Sequence, residues 1–369
     1  MLNKGKIWCF LVAAFTVIPL LLLAGITVIV DPYFHYHAPL EVLEYPLDNQ
    51  RYQNDGIVKH FEYDAIITGT SMTENFHTSD LNRLFDVNSV KIPFSGGSYF
   101  ELNNTLGRAI EANPEIKMIV RSLDAYMLFF DKDYMHESFD YPYYLYDKNL
   151  LNDVEYLLNK DVLLKEVRKV IGYTREGIPT TDFDTYSSWD ALYACSKKAV
   201  FQTYMRPEKS TSQLPWSDEM KLKVQENVIQ NVITLAQGNP DIQFYYYYPP
   251  YSIAWWDREM QKGSAERQIE ALKYASELIL EVDNIHLFTF LLDRDTVLNL
   301  DNYKDIEHHS GDINRYILEC MKDDKFLLTK EDNESYWKEA QEFLLGFDYD
   351  AYLEQMGYYS MKENSDGAQ

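Results

Sequence analysis

Short apolar runs alternate with segments of helical periodicity along most of the chain. Five runs rich in branched and aromatic residues predict buried or half-buried strands: Ala65–Thr68, Val87–Pro93, Lys117–Leu123, Ile242–Tyr248 and Asn284–Phe290. Intervening segments carry apolar residues near helical spacing: Phe100–Glu111, Ser217–Gln237 and Ala265–Val282. Strands that alternate with crossover helices predict an α/β protein with a parallel sheet covered on both faces.

Two regions depart from this alternation. Residues from about 126 to 215 are rich in Tyr and Asp and lack strong strand runs, although a helix is predicted around Leu150–Ile171. We interpret this region as a mostly helical insertion, which in such sheets is the usual position of a cap over a site. The amphipathic stretch Glu334–Met356 and a polar tail predict a C-terminal helical extension over residues 324–369.

The N-terminus is a separate hydrophobic segment. From Ile7 to Val30 the chain carries no charge, and about 20 apolar residues suffice to cross a bilayer as a helix. Lys4 and Lys6 precede this run and acidic residues follow it, so the positive-inside rule places the N-terminus in the cytoplasm. A cleaved signal peptide is the alternative, but the run exceeds a normal signal core and no small-x-small site follows it. The predicted order is a cytoplasmic N-terminus (1–6), a signal anchor (7–30), a juxtamembrane segment (31–63) and an extracytoplasmic domain (64–323).

Composition narrows the classes of function. A formal charge of −24 over 369 residues argues against a nucleic acid partner, because phosphate binding needs clustered Lys and Arg. The same charge opposes an anionic surface or ligand unless basic residues line the site. The three cysteines have no CxxC or Cys/His metal spacing, so no disulfide framework is predicted and a Cys195–Cys320 pair stays open.

The stretch Asp64–Phe76, DAIITGTSMTENF, raises the main chemical question. Ser71 follows an apolar run and a glycine, at the carboxyl edge of the sheet where ligands bind in doubly wound folds. The alternative is structural, since Thr70 or Ser71 also suits the cap of the next helix, with Glu74 as partner in a capping box. From this stretch alone the cap is favoured.

A serine nucleophile needs a histidine base that an acid orients. His308 and His309 follow the last predicted strand, and Asp305 precedes His308 by three residues. In a short turn this spacing lets the carboxylate accept from one imidazole nitrogen while the other nitrogen faces a neighbouring strand end. A solvated acidic loop is the alternative, but the position after the last strand favours a triad with Ser71.

Two further stretches lie at the same predicted edge. In the SGGS turn Ser95–Ser98, Gly97 offers an amide to a developing oxyanion, or serves close packing alone. The aromatic stretch YYYYPPYSIAWW follows a strand, and rings of this kind stack on sugar faces. Tyr251, Trp255 and His309 are the candidate substrate-binding side chains, with core packing as the alternative for most of the aromatic residues.

Neither histidine-rich group suits a metal. His35 and His37 would share one face of a strand but lack further ligands, so an aromatic juxtamembrane cluster is favoured. The adjacent residues Glu307–Asp312 are too close in sequence to converge on one ion. We predict no metal and no other cofactor.

Three motifs together resemble the SGNH/GDSL-type hydrolase superfamily: GTSM at Gly69–Met72, SGGS at Ser95–Ser98, and DxxHHS at Asp305–Ser310. The resemblance covers about Asp64–Cys320. It is closest to the membrane-anchored cell-envelope branch, which resembles proteins of alginate O-acetylation and teichoic-acid D-alanylation.

The resemblance implies a three-layer α/β/α, flavodoxin-like sheet. It also implies Ser71 as nucleophile, His308 as base, Asp305 as its acid, and oxyanion amides from Ser71 and Gly97. The sequence departs from the family in carrying GTS in place of GDS and in lacking an asparagine donor after the third strand. Asp124 lies there instead, and an ionised carboxylate cannot donate.

The main hypothesis is an extracytoplasmic serine O-acyltransferase or esterase that acts on cell-envelope or exported polysaccharide, with acetyl as the expected acyl group. The resemblance implies a multi-span membrane O-acyltransferase as the partner that supplies the acyl donor. The alternative is a non-catalytic accessory protein that binds glycan or organises such a membrane enzyme. The missing asparagine and the Tyr-rich insertion favour this alternative, and a metal-dependent hydrolase is a distant third.

Overall fold

A computed structural model describes residues 4–136 and 141–366. Residues 1–3, 137–140 and 367–369, which belong to the predicted cytoplasmic N-terminus, insertion and C-terminal extension, lie outside the described ranges. The described chain divides into two compact units. The anchor unit comprises residues 4–62, 108–114 and 141–182, and the sheet unit comprises residues 63–107, 115–136 and 183–366.

A six-stranded sheet forms the centre of the sheet unit, in the order β2-β1-β3-β4-β5-β6. The strands are β1 (Ala65–Gly69), β2 (Ser89–Pro93), β3 (Met118–Ser122), β4 (Gln243–Tyr248), β5 (Ile285–Thr289) and β6 (Leu327–Leu328). The first five run parallel, and β6 pairs antiparallel with β5. The α/β class and the five strands predicted from apolar runs are confirmed, whereas the two residues of β6 are too few to give a periodic signal.

The helices follow the predicted alternation in most places. In chain order they are α1 (Lys4–Val30), α2 (Gln50–His60), α3 (Thr78–Phe85), α4 (Tyr99–Ala112), α5 (Val154–Leu157), α6 (Val167–Glu176), α7 (Lys197–Thr203), α8 (Asp218–Val228), α9 (Thr234–Gly238), α10 (Ile253–Lys262), α11 (Ala265–Ile279), α12 (Arg294–Val297), α13 (Gly311–Lys322), α14 (Asn333–Gly346), α15 (Tyr349–Gln355) and α16 (Tyr358–Asp366). A π-helical segment, Ile229–Ile233, joins α8 to α9 within the one helix predicted there. The helix predicted around Leu150–Ile171 is instead divided into α5, a π-helical segment Val162–Glu166, and α6.

One cluster of buried apolar residues lies on one face of the sheet. Alternate residues of the parallel strands, such as Ile67 and Val120, pack with Leu81 of α3 and Ile317 of α13. Tyr247 of β4 is buried in the same cluster, because period-two alternation sends Tyr245 and Tyr247 to this face. The YYYY run is therefore largely core.

On the opposite face, Arg121 of β3 is buried without an ion pair among the described residues. Its Nη1 donates to the carbonyl of Asn231 (2.7 Å), and its guanidinium lies 5.2 Å from the ring centroid of Tyr99 and 5.9 Å from that of Tyr246. The hydroxyl of Tyr246 donates to the carbonyl of Val232 (3.2 Å). The π-helical segment thus packs on this face through its backbone carbonyls, which stabilise the buried polar side chains.

The anchor unit begins with α1, a helix of 27 residues that is long and apolar enough to span a membrane. It is the only such helix among residues 4–136 and 141–366. Pro19 lies inside it without ending it, as is tolerated in membrane helices. Thr27 and Val30 are its buried residues, so the unit contacts α1 near its C-terminal end.

A capped turn follows α1, in the motif DPYFHYH. Asp31 has a positive φ of 42°, and its carboxylate accepts from the backbone N–H groups of His35 (3.0 Å), Tyr36 (2.7 Å) and His37 (3.1 Å). The hydroxyl of Tyr156 donates to the same carboxylate (2.7 Å). The expectation that His35 and His37 share one face of a strand is therefore wrong, because Asp31 folds this segment into a turn.

Candidate active site

Ser71 lies just after β1, where the chain leaves the sheet. Gly69 ends the strand with φ of 152°, and a Cβ there would collide with the Ser122 and Thr73 side chains. Thr70 then caps a single 3₁₀ turn, Ser71–Thr73, its Oγ1 accepting from the N–H of Met72 (3.4 Å). Thr70 therefore provides the cap, and the hydroxyl of Ser71 is available for another contact.

The strand order places this turn at a particular point of the sheet. β1 lies between β2 and β3, so the connections from β1 and β3 lead to opposite sides of the sheet order. In doubly wound folds of this order, ligands bind outside the carboxyl ends of these two strands. Ser71 after β1 and Asp124 after β3 both lie at this position.

Ser71, His308 and Asp305 form a continuous hydrogen-bonded chain. The Oγ of Ser71 lies 2.7 Å from Nε2 of His308, and Nδ1 of His308 lies 2.8 Å from Oδ2 of Asp305. The serine and the histidine are 237 residues apart in sequence, so the fold itself brings them together. The distances are those required for a serine, a base and an orienting acid.

The hairpin that carries His308 is held by its own backbone. Tyr303 and His309 form an antiparallel bridge, and the N–H of Lys304 donates to the carbonyl of His308 (3.0 Å). Oδ1 of Asp305 accepts from the N–H groups of Glu307 (2.8 Å) and His308 (2.9 Å). The D-x-x-H spacing therefore does two things, since the carboxylate both closes the turn and faces the imidazole.

Asp305 and His308 shift each other's pKa. Burial alone raises the pKa of Asp305, but its hydrogen bonds with His308 and the attraction of that imidazole lower it overall. Burial also lowers the pKa of His308, yet the bond and attraction from Asp305 outweigh it and raise that pKa above its ordinary value. A basic imidazole beside a serine hydroxyl favours removal of the serine proton.

Gly97 does not offer a free amide. Its N–H donates to the carbonyl of Phe94 (2.8 Å), closing a β-turn in which Gly96 has φ of 63°. Among the hydrogen bonds of the described residues, the N–H groups of Ser71 and Gly96 have no acceptor. The expected role of Gly97 is therefore corrected: Gly97 permits close packing, since a Cβ would lie 2.8 Å from the Phe94 carbonyl, and Gly96 carries the available amide.

Asp124 is a buried carboxyl directly behind the Ser71 turn. It accepts from three hydroxyls, those of Thr70 (3.0 Å), Ser122 (3.1 Å) and Tyr251 (3.0 Å). Burial raises its pKa to about 6, and the three hydrogen bonds oppose this shift only in part. Asp124 thus acts as an acceptor that orders the turn.

The three candidate substrate-binding side chains are all buried. Tyr251 and Trp255 stack with centroids 4.4 Å apart, and the hydroxyl of Tyr251 is taken by Asp124. His309 is 1% exposed, and burial lowers its pKa to about 4. A sugar ring reaches none of these side chains in this conformation, because at most 3% of each residue is exposed.

Two residues beside the triad gave no signal in the sequence. The Trp189 ring meets His308 edge-on at 6.0 Å, and Nζ of Lys304 lies 3.7 Å from the centroid of Trp189 and 4.9 Å from that of Tyr193. An open cavity of about 620 Å³ has Tyr193, Lys304 and Asp305 in its wall. Trp189 and Tyr193 belong to the predicted insertion, where no periodicity distinguishes a site residue from a surface one.

The described residues contain no group of three or more His, Cys, Asp or Glu side chains arranged to hold a metal ion. His37 directs both imidazole nitrogens to backbone carbonyls, those of Ala38 (2.6 Å) and Val28 (2.8 Å). Cys9, Cys195 and Cys320 are free thiols.

No protein-family model matches this sequence, and no curated protein matches it either.

Proposed function

We propose that this protein is a membrane-anchored serine O-acyltransferase or esterase of the SGNH type, acting outside the cytoplasm on a cell-envelope or exported polysaccharide. The observation that carries the proposal is the Ser71–His308–Asp305 chain, with contacts of 2.7 and 2.8 Å. Its position at the carboxyl edge of a parallel sheet and the packing of helical segments on both faces support a three-layer α/β/α arrangement.

The first half-reaction forms an acyl-enzyme. Ser71 Oγ attacks the carbonyl carbon of the acyl donor while its proton passes to Nε2 of His308. Asp305 accepts from Nδ1–H, which fixes the tautomer and stabilises the imidazolium. The tetrahedral intermediate collapses when the bond to the leaving group breaks, and that group takes the proton from Nε2.

Two backbone amides are proposed to hold the oxyanion. The N–H groups of Ser71 and Gly96 lie at neighbouring strand ends and have no acceptor among the residues that the structure describes. Removal of one such donor costs about 3–4 kcal/mol in the barrier. An oxyanion hole with two donors and no asparagine is therefore expected to give a slower reaction than one with three donors. A slower reaction suits acyl transfer more than rapid hydrolysis.

The second half-reaction releases the acyl group. A sugar hydroxyl, or water, gives its proton to His308 and attacks the acyl–Ser71 ester, and Ser71 leaves with its proton restored. With α1 as the anchor and the N-terminus in the cytoplasm, the acyl donor must be supplied across the membrane. A multi-span membrane O-acyltransferase is the proposed partner for this step.

Fluorophosphonate labelling of the full chain in detergent tests the nucleophile. We expect the wild-type protein to be labelled, Ser71→Ala to be unlabelled, and the exposed control Ser212→Ala to be labelled as the wild type. Equal labelling of Ser71→Ala and wild type overturns the triad.

A non-catalytic accessory role is the second candidate. It is favoured by the occupied amide of Gly97 and by the carboxyl of Asp124 where a donor is expected. In cells that produce the glycan, this role requires that acylation survives Ser71→Ala and is lost when the whole protein is removed. Loss of acylation with Ser71→Ala, at unchanged protein abundance, selects catalysis.

A further inference from the structure

The anchor unit exposes a group of large apolar side chains beside α1. Leu150 is 76% exposed, Leu151 87%, Val154 52% and Leu164 64%. These four residues, here called the apolar ledge, lie in and around α5 and the following π-helical segment. Clustered exposure of this kind marks a surface that another apolar phase covers.

Hydrogen bonds fix α5 alongside the last turn of α1. Oγ1 of Thr27 donates to the carbonyl of Leu157 (3.0 Å), and the N–H of Tyr33 donates to the hydroxyl of Tyr156 (3.2 Å). Thr27 lies three residues before the end of α1 at Val30, which is about 4–5 Å along the axis at 1.5 Å per residue. The segment that carries the ledge therefore lies at the level of the helix, not beyond its end.

The length of α1 gives the depth of that level. Its 27 residues make about 40 Å of helix at 1.5 Å per residue, against a hydrocarbon core of about 30 Å. The helix is therefore about 10 Å longer than the hydrocarbon core is thick. This excess places the last turn of α1, and α5 beside it, in the headgroup layer.

The neighbouring residues suit this layer. Tyr143 is 63% exposed, and tyrosine is enriched at membrane interfaces. Lys160 and Lys165 are exposed near the ledge beside the exposed carboxylates of Glu155 and Asp161, and Lys165 pairs with Asp161 (3.0 Å). Lysine stems cover apolar surface while the ammonium stays in water.

We propose that the apolar ledge inserts into the lipid headgroup region next to α1 and holds the anchor unit against the bilayer. The inference takes α1 as membrane-embedded and does not depend on the chemistry proposed for Ser71. Lipid is the occupant because the segment that carries the ledge is hydrogen-bonded to α1, whose exposed side chains are apolar along most of its length.

Nitroxide labelling of the full chain in lipid nanodiscs tests the depth of the ledge. The background Cys9→Ser/Cys195→Ser keeps Cys320, which is 3% exposed and whose pKa is raised by burial, so that it stays unlabelled. In this background, Leu151→Cys and Leu164→Cys report the ledge. Glu281→Cys, at a charged position whose side chain is 71% exposed, is the control for water, and Ile18→Cys, 55% exposed near the middle of α1, is the control for hydrocarbon.

We expect the ratio of oxygen to nickel-chelate collision rates at both ledge labels to lie several-fold above that at Glu281→Cys and below that at Ile18→Cys. Ledge labels that match Glu281→Cys, while Ile18→Cys reports hydrocarbon, overturn the proposal and leave the anchor intact. A water-like label at Ile18→Cys overturns both the proposal and the membrane-embedded α1. Ledge labels shielded from both reagents in native membranes, but open to the nickel chelate in nanodiscs, show that a protein covers the ledge and overturn the lipid assignment.

Discussion

Asp305 and Asp124 are two carboxyls on either side of the same serine turn, and their pKa values move in opposite directions. Asp305 is 28% exposed at its side chain and its pKa is lowered, whereas Asp124 is 1% exposed and its pKa is raised to about 6. Asp305 faces an imidazole that can carry positive charge, and two backbone N–H groups of its own turn. Asp124 faces three neutral hydroxyls.

The difference shows that the charge of the hydrogen-bonding partners determines the pKa of a carboxyl more than the number of its hydrogen bonds does. Hydrogen bonds from neutral hydroxyls offset only part of the desolvation of a fully buried carboxylate, while a cationic partner offsets more. Asp305 is therefore suited to stabilise an imidazolium at His308. Asp124 is suited to order the turn, and it carries a cost in stability when it ionises.

The sharpest test of this division replaces each carboxyl by its amide. Asp305→Asn is expected to lower the rate of fluorophosphonate labelling about 10⁴-fold, because the wrong imidazole tautomer is then favoured. Asp124→Asn keeps an acceptor in the turn and is expected to stay within about tenfold of wild type, since it touches no reacting atom. Second-order labelling rates at pH 8 decide the matter, and equal losses in both variants contradict the division of roles.

The pH dependence of labelling is the second test. His308 must be neutral to accept the serine proton, so the rate falls about tenfold for each pH unit below its pKa. Because that pKa is raised, the midpoint is expected above 6.5, the ordinary value for histidine. Asp124→Asn should leave this midpoint unchanged. A midpoint that shifts in this variant would show that Asp124 titrates within the reacting group.

The third test concerns stability. The folded-state pKa of Asp124 lies above its unfolded value of 3.8, so the folded state binds more protons between about pH 4 and 6. Stability from this group is complete below the unfolded value and is lost as pH rises through the folded one. A shift from 3.8 to about 6 corresponds to a loss of about 2–3 kcal/mol at 1.36 kcal/mol per pH unit.

Urea unfolding of the detergent-solubilised chain at pH 4.5 and pH 8 measures this loss. The wild-type free energy of unfolding is expected to fall between the two pH values by more than that of Asp124→Asn. An identical fall in both proteins shows that folding does not raise the pKa of Asp124.

Local chemistry explains why much of the triad could be predicted from the sequence. Asp305 and His308 lie in one short turn, where the carboxylate meets both the backbone and the ring. Ser71 ends an apolar strand run, and parallel strand ends share one edge of a sheet. These features depend on neighbours in sequence and on period-two alternation, which the chain displays directly.

The rest depends on contacts between distant segments. The choice between Gly96 and Gly97 depends on a turn closed by the carbonyl of Phe94. Tyr251 is buried because its hydroxyl meets Asp124, 127 residues away in sequence, and rings in a Tyr-rich chain look alike until that contact is known. Trp189 reaches His308 from an insertion without periodicity.

The smallest expected effect comes from removing one hydroxyl from Asp124. Tyr251→Phe deletes a hydrogen bond that lowers the Asp124 pKa, so the carboxylate is left less satisfied wherever it is ionised. The cost is expected to be about 1–2 kcal/mol at pH 8, as for a hydrogen bond to a charged group, and under about 1 kcal/mol at pH 5.

Tyr248→Phe is the matched control for this loss. Its buried hydroxyl donates to the carbonyl of Leu272 (3.4 Å) and accepts from Ser276 (3.2 Å), with no carboxylate among these partners. Its cost should therefore be the same at both pH values. If Tyr251→Phe is also insensitive to pH, the hydroxyls do not hold an ionised Asp124, and the contrast with Asp305 reduces to a difference in burial.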